Sequence, residues 1–441
     1  MKIPEVPPLA PDDYDYGRVL DDLVQIGKFR EFMELNETTF EYWEKWKYIS
    51  KTWGYDARKL WAAVKTNRYG IPVQLTKAHS FRLNFPSVLQ EYLHRFDMNL
   101  GGSIQGKGII PSEEKERYLL SSLMEEAIAS SQLEGAVTTR KLAKEMLETN
   151  RQPRNESEQM ILNNYEGMKW IVANKDKPFT IENILELHSI ISRSTLANPK
   201  YEGAFRTEDN VNVVDVATGE VIYHPPSHRQ LSELMEAFCD FANDKQADRV
   251  FIHPIVKGIS LHFFLGYIHP FVDGNGRTAR TLFYWYLVRK GYWLIEYMSV
   301  SRVILEAKAQ YARAYLHTEL DNNELTYFVL YNLKCMKIAL EELRQYIERE
   351  SKEKKRLLNW LRHTDFNDRQ IYILQTILSD QVSSYTVRQI ERWFNISNQT
   401  ARNDLARLVE LGLLQYRKSG RQMVFFPRKD FDATLRKISA Q

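Results

Sequence analysis

At 441 residues the chain is long enough for two or three domains, and its 44% hydrophobic and 27% charged residues are ordinary for a globular protein. A net charge of +3 selects neither nucleic acid nor acidic partners, so any basic patch must be local. Cys239 and Cys335 lie in apolar helical patterns, which indicates buried thiols in a reducing compartment. The sequence contains no signal-peptide core and no apolar run of about 18 residues. We therefore expect a cytoplasmic protein without a membrane span.

The first hundred residues, 1–100, are predicted to form a helical N-terminal region. Residues 1–17 are polar and rich in proline, which indicates an extended arm, and aromatic residues at helical spacing follow. The tryptophans of this region are Trp43, Trp46, Trp53 and Trp61. Their pattern favours a packed core over a stacking surface for nucleic acid. The glycine-rich loop at 101–111 lacks the Ser or Thr after Lys107 that a P-loop requires.

A strong helix is predicted over 112–134. Ser112 can cap its start, and glutamates follow in the first turns, as the helix dipole prefers. Ser130 and Glu134 are four residues apart and share a face, so the hydroxyl can hydrogen-bond the carboxylate and orient it. Gly135 then ends the helix. By themselves these residues describe only an exposed acid at a helix end.

Amphipathic helices continue to about residue 268, one of them starting at Thr180, and a β-hairpin at 210–226 interrupts them. Its alternating residues are Val211 and Val213 on one arm and Val221 and Tyr223 on the other, with a turn at Ala217-Thr218-Gly219. A lone hairpin in a helical domain leaves an open edge. An extended segment of another protein could pair with that edge, or the hairpin could be purely structural.

The densest group of functional residues is His269 to Arg280, which reads HPFVDGNGRTAR. Gly274, Asn275 and Gly276 can form an anion-binding nest at the start of a helix. Arg277 and Arg280 lie three residues apart on that helix, and both side chains can bind phosphate. Asp273 offers a hard oxygen ligand for Mg²⁺, and His269 is a base that titrates near neutrality. Together these residues predict a polyphosphate site with a metal ligand and a base.

This stretch resembles the signature of the Fic family of nucleotidyltransferases, HPF-x-(D/E)-GN-(G/K)-R-x-x-R. The resemblance implies transfer of AMP from ATP to a hydroxyl side chain of a target protein, with release of pyrophosphate. It implies that His269 deprotonates the hydroxyl and that Asp273 holds Mg²⁺ between the α- and β-phosphates. The nest and Arg277 would then cradle the phosphates, and Arg280 would reach the γ-phosphate.

Two further segments fit this resemblance. The run SSQLEG at 130–135 resembles the inhibitory motif (S/T)-x-x-x-E-(G/N) of Fic proteins, which implies that Glu134 pairs with Arg280 and prevents productive ATP binding. The motif precedes the signature, so the chain resembles the self-inhibited class with an N-terminal motif. The hairpin at 210–226 resembles the flap that positions the target side chain over His269.

A zinc site built from His253, His262 and His269 is the competing interpretation. His262 and His269 are two helical turns apart, but the apolar neighbours of His262 indicate a core histidine. No cysteine or carboxylate completes a tetrahedral set, so we expect no zinc site.

The C-terminal segment 360–441 resembles a winged helix-turn-helix. Residues 384–386 cap one helix, 395–397 form a turn, a second helix ends at Gly412, and 415–426 form a hairpin that turns at Ser419-Gly420. The candidate DNA contacts are Gln399, Thr400, Arg402 and Asn403, with Arg388, Arg392, Arg417, Lys418 and Arg421 available to phosphates. Winged helices also bind proteins, and Glu391, Asp404 and Glu410 dilute the charge, so both partners stay open.

These inferences predict a mostly α-helical protein with three parts. They are the N-terminal region, a Fic-fold helical core at 101–350 with its hairpin flap, and the C-terminal winged helix. We expect a protein adenylyltransferase that uses ATP and Mg²⁺ and modifies Tyr, Thr or Ser on a target protein. DNA and a second copy of the chain are the other partners considered.

Two other functions are possible alternatives to AMP transfer. Glu134 beside the nest could orient a water and remove AMP from a modified protein. The chain could also be a DNA-binding regulator in which the Fic core senses nucleotide.

Overall fold

The computed structural model describes residues 3–100, 115–214, 219–245, 250–360, 366–378, 384–419, 422–428 and 430–440. The fold is mostly α-helical with three small antiparallel sheets in these ranges, which confirms the predicted class. Two compact units can be separated. The described residues of 3–100, 121–140 and 153–340 form the first, and those of 115–120, 141–152 and 341–440 form the second. The three-part division drawn from the sequence, with a boundary near residue 100, stays a prediction.

The first unit begins with four short helices, a hairpin and a longer helix. They are α1 (Tyr16–Gln25), α2 (Phe29–Thr38), α3 (Trp43–Trp53), α4 (Ala57–Asn67), β1 (Ile71–Gln74), β2 (Ser80–Leu83) and α5 (Ser87–Leu100). Trp46 and Trp61 are fully enclosed, as expected of core residues. The β1–β2 hairpin was not predicted; its burial alternates along β2, where Phe81 and Leu83 point inward.

The remaining helices of the first unit include one that is buried along nearly its whole length. They are α6 (Lys115–Leu133), α8 (Glu156–Ala173), α9 (Ile181–Ser192), α10 (Leu231–Ala242), α11 (Pro254–Ile268), α12 (Asn275–Arg289), α13 (Val300–Glu306), α14 (Lys308–Leu320) and α15 (Thr326–Trp360), and α6 and α15 also contribute residues to the second unit. Every residue of α12 from Arg277 to Val288 is buried, which confirms the predicted central helix. Thr180 caps α9 by accepting a hydrogen bond from the Asn183 amide, as predicted.

The predicted hairpin pairs β3 (Val213–Val214) with β4 (Val221–Tyr223). The strands are shorter than expected, because the register shifts between Val213 and Val214 and Val211 lies before the strand. Ala217 and Thr218 of the predicted turn lie outside the described residues. Gly219 has φ +71°, a conformation that favours glycine.

The second unit contains short helices and a small β-sheet that share a hydrophobic core. Its elements are α7 (Arg140–Thr149), α16 (Asp368–Leu378), β5 (Tyr385–Thr386), α17 (Val387–Phe394), α18 (Asn398–Glu410), β6 (Leu414–Ser419), β7 (Gln422–Pro427) and α19 (Phe431–Ala440). Thr386 and Gln389 form a reciprocal capping box at the start of α17. The sheet has the antiparallel order β5-β7-β6, so β5 adds a strand that was not predicted. Gly420 lies outside the described residues.

Cys239 and Cys335 are buried free thiols. Among the helices that the structure describes, none combines the length and hydropathy needed to cross a bilayer.

Candidate functional site

The loop between α11 and α12 carries the predicted site. It starts at His269, which ends α11 in a left-handed conformation with φ +49°, and it ends at Gly274, with φ +80°. The Asn275 side chain holds the loop closed. Its Oδ1 accepts a hydrogen bond from the Phe271 amide at 3.0 Å, and its Nδ2 donates to the Phe271 carbonyl at 2.9 Å. The loop is therefore preorganised by side-chain bonds to its own backbone.

His269 has the properties of a neutral base. Its Nδ1 lies 3.2 Å from the Gly266 carbonyl oxygen, which can only accept, so Nδ1 carries the proton and Nε2 is left as the acceptor. Burial lowers the pKa of His269, although the Gly266 carbonyl and the Glu134 carboxylate oppose the shift. The ring is consequently neutral near pH 7 and able to take a proton at Nε2.

Asp273 presents a carboxylate that is 55% exposed. Its Oδ1 accepts from the Gly274 amide at 2.6 Å, and its Oδ2 accepts from Arg277 Nη2 at 3.2 Å. Arg277 differs from expectation, because its guanidinium is fully buried and also donates to the Ile191 carbonyl at 3.2 Å. Its Nε has no hydrogen-bond partner among the described residues. In this arrangement Arg277 holds Asp273 from beneath and presents no open face.

The described side chains suit a Mg²⁺ that arrives with a nucleotide. No group of three or more metal-ligating side chains occurs in the described part of the chain, and Asp273 offers one open carboxylate at the loop. Mg²⁺ is commonly held by one or two carboxylates together with phosphate oxygens and waters. The three histidines do not form a site. His262 is buried against the Tyr311 hydroxyl at 2.8 Å, and His253 lies 2.9 Å from Asp97.

Glu134, directly after the last residue of α6, forms an ion pair with Arg280 of α12. The Arg280 Nη2 donates to Glu134 Oε1 at 2.8 Å, and the side chains are 3% and 30% exposed respectively. Burial would raise the pKa of Glu134, but the adjacent Arg280 outweighs it and lowers the pKa. Burial would lower the pKa of Arg280, but the adjacent Glu134 carboxylate outweighs burial and raises it. Both groups are therefore charged at neutral pH.

Ser130 contributes to this pair in a different way from the one predicted. Its hydroxyl and its carbonyl accept from Arg280 Nε at 2.8 Å and Nη2 at 2.9 Å. The expected bond between Ser130 and Glu134 is replaced by two contacts to the shared guanidinium, whose rigid fork of donors can bind several acceptors at once.

The Glu134 carboxylate also lies against the first turn of α12. A Cβ atom placed on Gly276 would be only 2.2 Å from Glu134 Oε1 and 3.1 Å from Arg280 Nη1. Only glycine leaves room for this contact. The negative charge of Glu134 thus occupies the space in front of the helix start that attracts anions.

Arg206, which its sequence context does not single out, ties the base of the β3–β4 hairpin to the loop. Its backbone amide donates to the Pro270 carbonyl at 2.9 Å, and its Nε donates to the His269 carbonyl at 3.0 Å. Nη1 donates to Asp209 at 2.9 Å, and Nη2 donates to the Pro226 carbonyl. One buried guanidinium therefore holds both ends of the hairpin and the backbone of His269. An arginine before a hairpin gives no sequence signal for such a role.

The hairpin has a second attachment near the site. Tyr223 in β4 donates from its hydroxyl to the Tyr267 carbonyl, two residues before His269, at 3.0 Å. Val214 and Val221 remain 46% and 43% exposed along the strands. His188, a buried residue of α9 that was also missed, contacts the loop from the other side at the Asp273 carbonyl.

Comparison with known proteins supports the resemblance for part of the chain. Residues 178–287 match the model of the Fic/DOC family. That segment contains the loop, the hairpin, His188 and Arg206, whereas Glu134 and the second unit lie outside it.

Two curated relatives carry the name protein adenylyltransferase Fic. The protein from Nematostella vectensis is 35% identical over 130 residues, which is 29% of this chain and 28% of that protein. The protein from Aedes aegypti is 37% identical over 129 residues, covering 29% of this chain and 23% of that protein. The chain thus matches less than a third of the length of each relative.

Two solved structures are also similar. A Fic family protein from Desulfovibrio desulfuricans G20 has a TM-score of 0.49 and 17% identity, covering 82% of this chain and 99% of that one. Fic-1 from C. elegans has a TM-score of 0.44 and 20% identity, covering 59% of this chain and 71% of that one.

Proposed function

We propose that the chain is a protein adenylyltransferase that is inhibited by its own Glu134. The observation that carries the proposal is the loop at 269–274, where a neutral His269 and the open carboxylate of Asp273 flank a helix start that Glu134 covers. The match of 178–287 to the Fic/DOC family and the names of the curated relatives support this reaction class.

The proposed step is an in-line displacement at the α-phosphorus of ATP. His269 Nε2 accepts the proton of the target hydroxyl as its oxygen forms a bond to phosphorus, and the bond from phosphorus to the β-phosphate oxygen breaks to release pyrophosphate. The amides at the start of α12 stabilise the phosphate charge. Asp273 would hold Mg²⁺, which supplies charge neutralisation at the phosphates when bound.

Inhibition follows from charge and occupancy. The Arg280 Nε and Nη2 donate to Ser130 and Glu134, so they are unavailable to the γ-phosphate. The Glu134 carboxylate repels phosphate from the same place. Removing the carboxylate takes away the charged partner of Arg280, so the guanidinium can turn from Ser130 to the γ-phosphate and direct the α-phosphate toward His269.

The test measures AMP attachment to the chain itself by intact mass after incubation with ATP and Mg²⁺. A cell lysate serves as a second source of target proteins. Glu134→Gly should transfer AMP much faster than wild type, Glu134→Gln should be intermediate because it keeps the shape and loses the charge, and His269→Ala with Glu134→Gly should be inactive. Transfer by the double variant at the rate of Glu134→Gly would exclude His269 as the base.

Removal of AMP is the second candidate, because the ionised Glu134 carboxylate is 30% exposed beside the helix start and could orient a water. A target that has been modified in advance separates the two directions. Release of AMP by wild type that is lost in Glu134→Gly would favour removal, whereas gain of transfer in that variant favours addition.

We further propose that the second unit is a winged helix that binds DNA. Asp404, which seemed to dilute the charge of α18, is 4% exposed and turned inward, where Arg369 Nε donates to it at 2.6 Å and Asn367 at 2.7 Å. Its charge is therefore neutralised within the unit. On the outer face of α18, Arg402 Nε donates to Asn398 Oδ1 at 2.7 Å and Gln399 donates to Asn403 at 2.9 Å. Thr400 is half-buried and bonded to Ser397, so it is the weakest of the four candidates.

Binding of a labelled DNA duplex by fluorescence anisotropy at several salt concentrations tests this second proposal. Affinity should fall steeply with salt, and Arg402→Ala with Arg417→Ala should reduce both the affinity and the salt slope. Arg428→Ala, which removes an exposed arginine that is paired with Asp430, is the control. Absence of salt-dependent binding would favour a protein partner.

The homodimer and the cytoplasmic location remain predictions from the sequence.

A further inference from the structure

His188 joins the loop to the entry of the hairpin through both of its ring nitrogens. The side chain is fully buried in α9 and stacks on Phe271, with ring centroids 3.6 Å apart and planes 2° from parallel. The Gly203 amide donates to Nδ1 at 3.0 Å, so the neutral ring carries its hydrogen on Nε2. That Nε2 lies 2.9 Å from the Asp273 carbonyl oxygen and donates to it.

The hydrogen bond from His188 Nε2 orients the backbone carbonyl of Asp273, the residue proposed to bind the metal. The Asp273 side chain is largely exposed, so few packing contacts hold it, and Gly274 after it adopts a left-handed conformation. The ring also fills the space beside Gly274, where a Cβ would lie 3.2 Å from Nε2. The carbonyl of Asp273 is therefore fixed from α9, while Arg277 fixes its carboxylate from α12.

We propose that His188 is a positioning residue that holds Asp273 in the orientation needed to take up Mg–ATP and links that orientation to the hairpin through Gly203. The inference rests on the proposed function for the role of Asp273. A histidine used only for packing would need neither hydrogen bond, and a phenylalanine would replace it in the stack on Phe271. The two bonds can be separated experimentally, because the amide of glutamine reaches the place of Nε2 and the amide of asparagine reaches that of Nδ1.

Hydrogen exchange of the protein without ligand, measured by mass spectrometry, provides the first test. His188→Asn should speed exchange in 269–276, His188→Gln should speed it at Gly203, and His188→Phe should speed both by about tenfold or more. If the three variants unfold at the temperature of wild type and leave exchange in 269–276 unchanged, the ring does not position the loop. If His188→Phe does not fold, the Asn and Gln variants decide by themselves.

The second test measures ATP binding by calorimetry at increasing Mg²⁺ concentrations. The parent protein carries both Glu134→Gly and His269→Ala, which prevents turnover. Partners that orient a metal ligand typically change metal affinity by about 10- to 100-fold. His188→Asn and His188→Phe should therefore raise the Mg²⁺ needed for half-maximal ATP binding about tenfold, with His188→Gln near the parent. Equal Mg²⁺ requirements in all variants would overturn the link to the metal. If the parent itself bound no Mg–ATP, the proposed function would fail, while the exchange data would still decide whether His188 positions the loop.

Discussion

His269 combines a left-handed backbone with a ring whose burial lowers its pKa from the ordinary value of 6.5. In the proposed reaction the ring acts in its neutral form, so acid removes activity only when the pH falls through this lowered pKa. Glu134 raises the pKa, and its removal should lower it further. We predict that the acidic limb of the rate of AMP transfer by Glu134→Gly lies below pH 6.5. Initial rates between about pH 5 and 8 measure it, and a limb above the ordinary value would contradict the neutral base.

Gly276 tests the position of the Glu134 carboxylate independently of catalysis. Alanine in the wild type would place Cβ 2.2 Å from Glu134 Oε1 and strain the ion pair. In a Glu134→Gly background that contact is gone, and alanine is favoured over glycine in a helix by about 1 kcal/mol. We predict that Gly276→Ala lowers the free energy of unfolding of wild type and leaves unchanged or raises that of Glu134→Gly. Chemical denaturation of the four proteins measures this coupling, and the same loss in both backgrounds would place the carboxylate elsewhere.

At the scale of elements, α6 is anchored two turns before Glu134. The buried carboxyl of Glu126 accepts from Tyr284 at 2.8 Å and from Ser299 at 3.1 Å. It also accepts from the Ser301 amide at 3.0 Å and from the Ser301 hydroxyl. Burial raises the pKa of Glu126, while the hydrogen bonds from Ser301 and Tyr284 oppose the shift. The helix that ends just before Glu134 is thus held against α12 and the start of α13.

Removing this anchor should weaken the proposed inhibition as well as the fold. Glu126→Ala leaves several buried donors without a partner, at a cost of about 1–3 kcal/mol each where water cannot replace it. We predict a lower melting temperature and faster AMP transfer than in wild type, because a loosened α6 exposes Arg280 more often. Glu125→Ala is the control, since it removes the neighbouring carboxylate of α6, which pairs with Arg140, and leaves the contacts of Glu126 intact. A melting temperature that falls with no change in transfer would show that inhibition does not depend on this anchor.

At the scale of the whole molecule, Glu319 in α14 makes stability depend on pH. Burial raises its pKa to about 8 from 4.5. The folded protein therefore keeps a proton that the unfolded chain has lost, and the free energy of unfolding falls as pH rises from about 5 to 8. Buried histidines with lowered pKa values, such as His317 at about 4, act in the opposite direction only below the ordinary histidine pKa. Between pH 6.5 and 8 the Glu319 contribution should dominate.

We predict that Glu319→Gln flattens the decline in stability over that interval. The difference from wild type should grow with pH by at most about 1.4 kcal/mol per unit and level off above the folded pKa. Urea denaturation at several pH values measures it. Parallel curves for the two proteins would mean that Glu319 ionises normally in the folded state.

Much of the fold and site follows from local patterns. The apolar run after Arg277 predicted α12, the polar cap at Thr180 predicted α9, and the glycines of the loop predicted its turn, because periodicity, capping and positive φ are properties of neighbouring residues. The short β1 and β5 strands escaped prediction, since two- to four-residue strands carry too little alternation. The pairing of Glu134 with Arg280 followed from the family resemblance alone.

The contacts that decide the state of the site join residues far apart in the chain. The contact of Glu134 with Gly276, the inward turn of Asp404, the burial of Arg277 and the use of His188 and Arg206 by the loop depend on which helices pack together. This packing cannot be predicted from a residue and its sequence neighbours, because burial and hydrogen-bond partners are set by the chain segments that meet in space. The residue types at 269–280 thus establish which chemistry is available. Tertiary packing decides that His269 is neutral, that Glu134 covers the start of α12 and that Arg280 is paired.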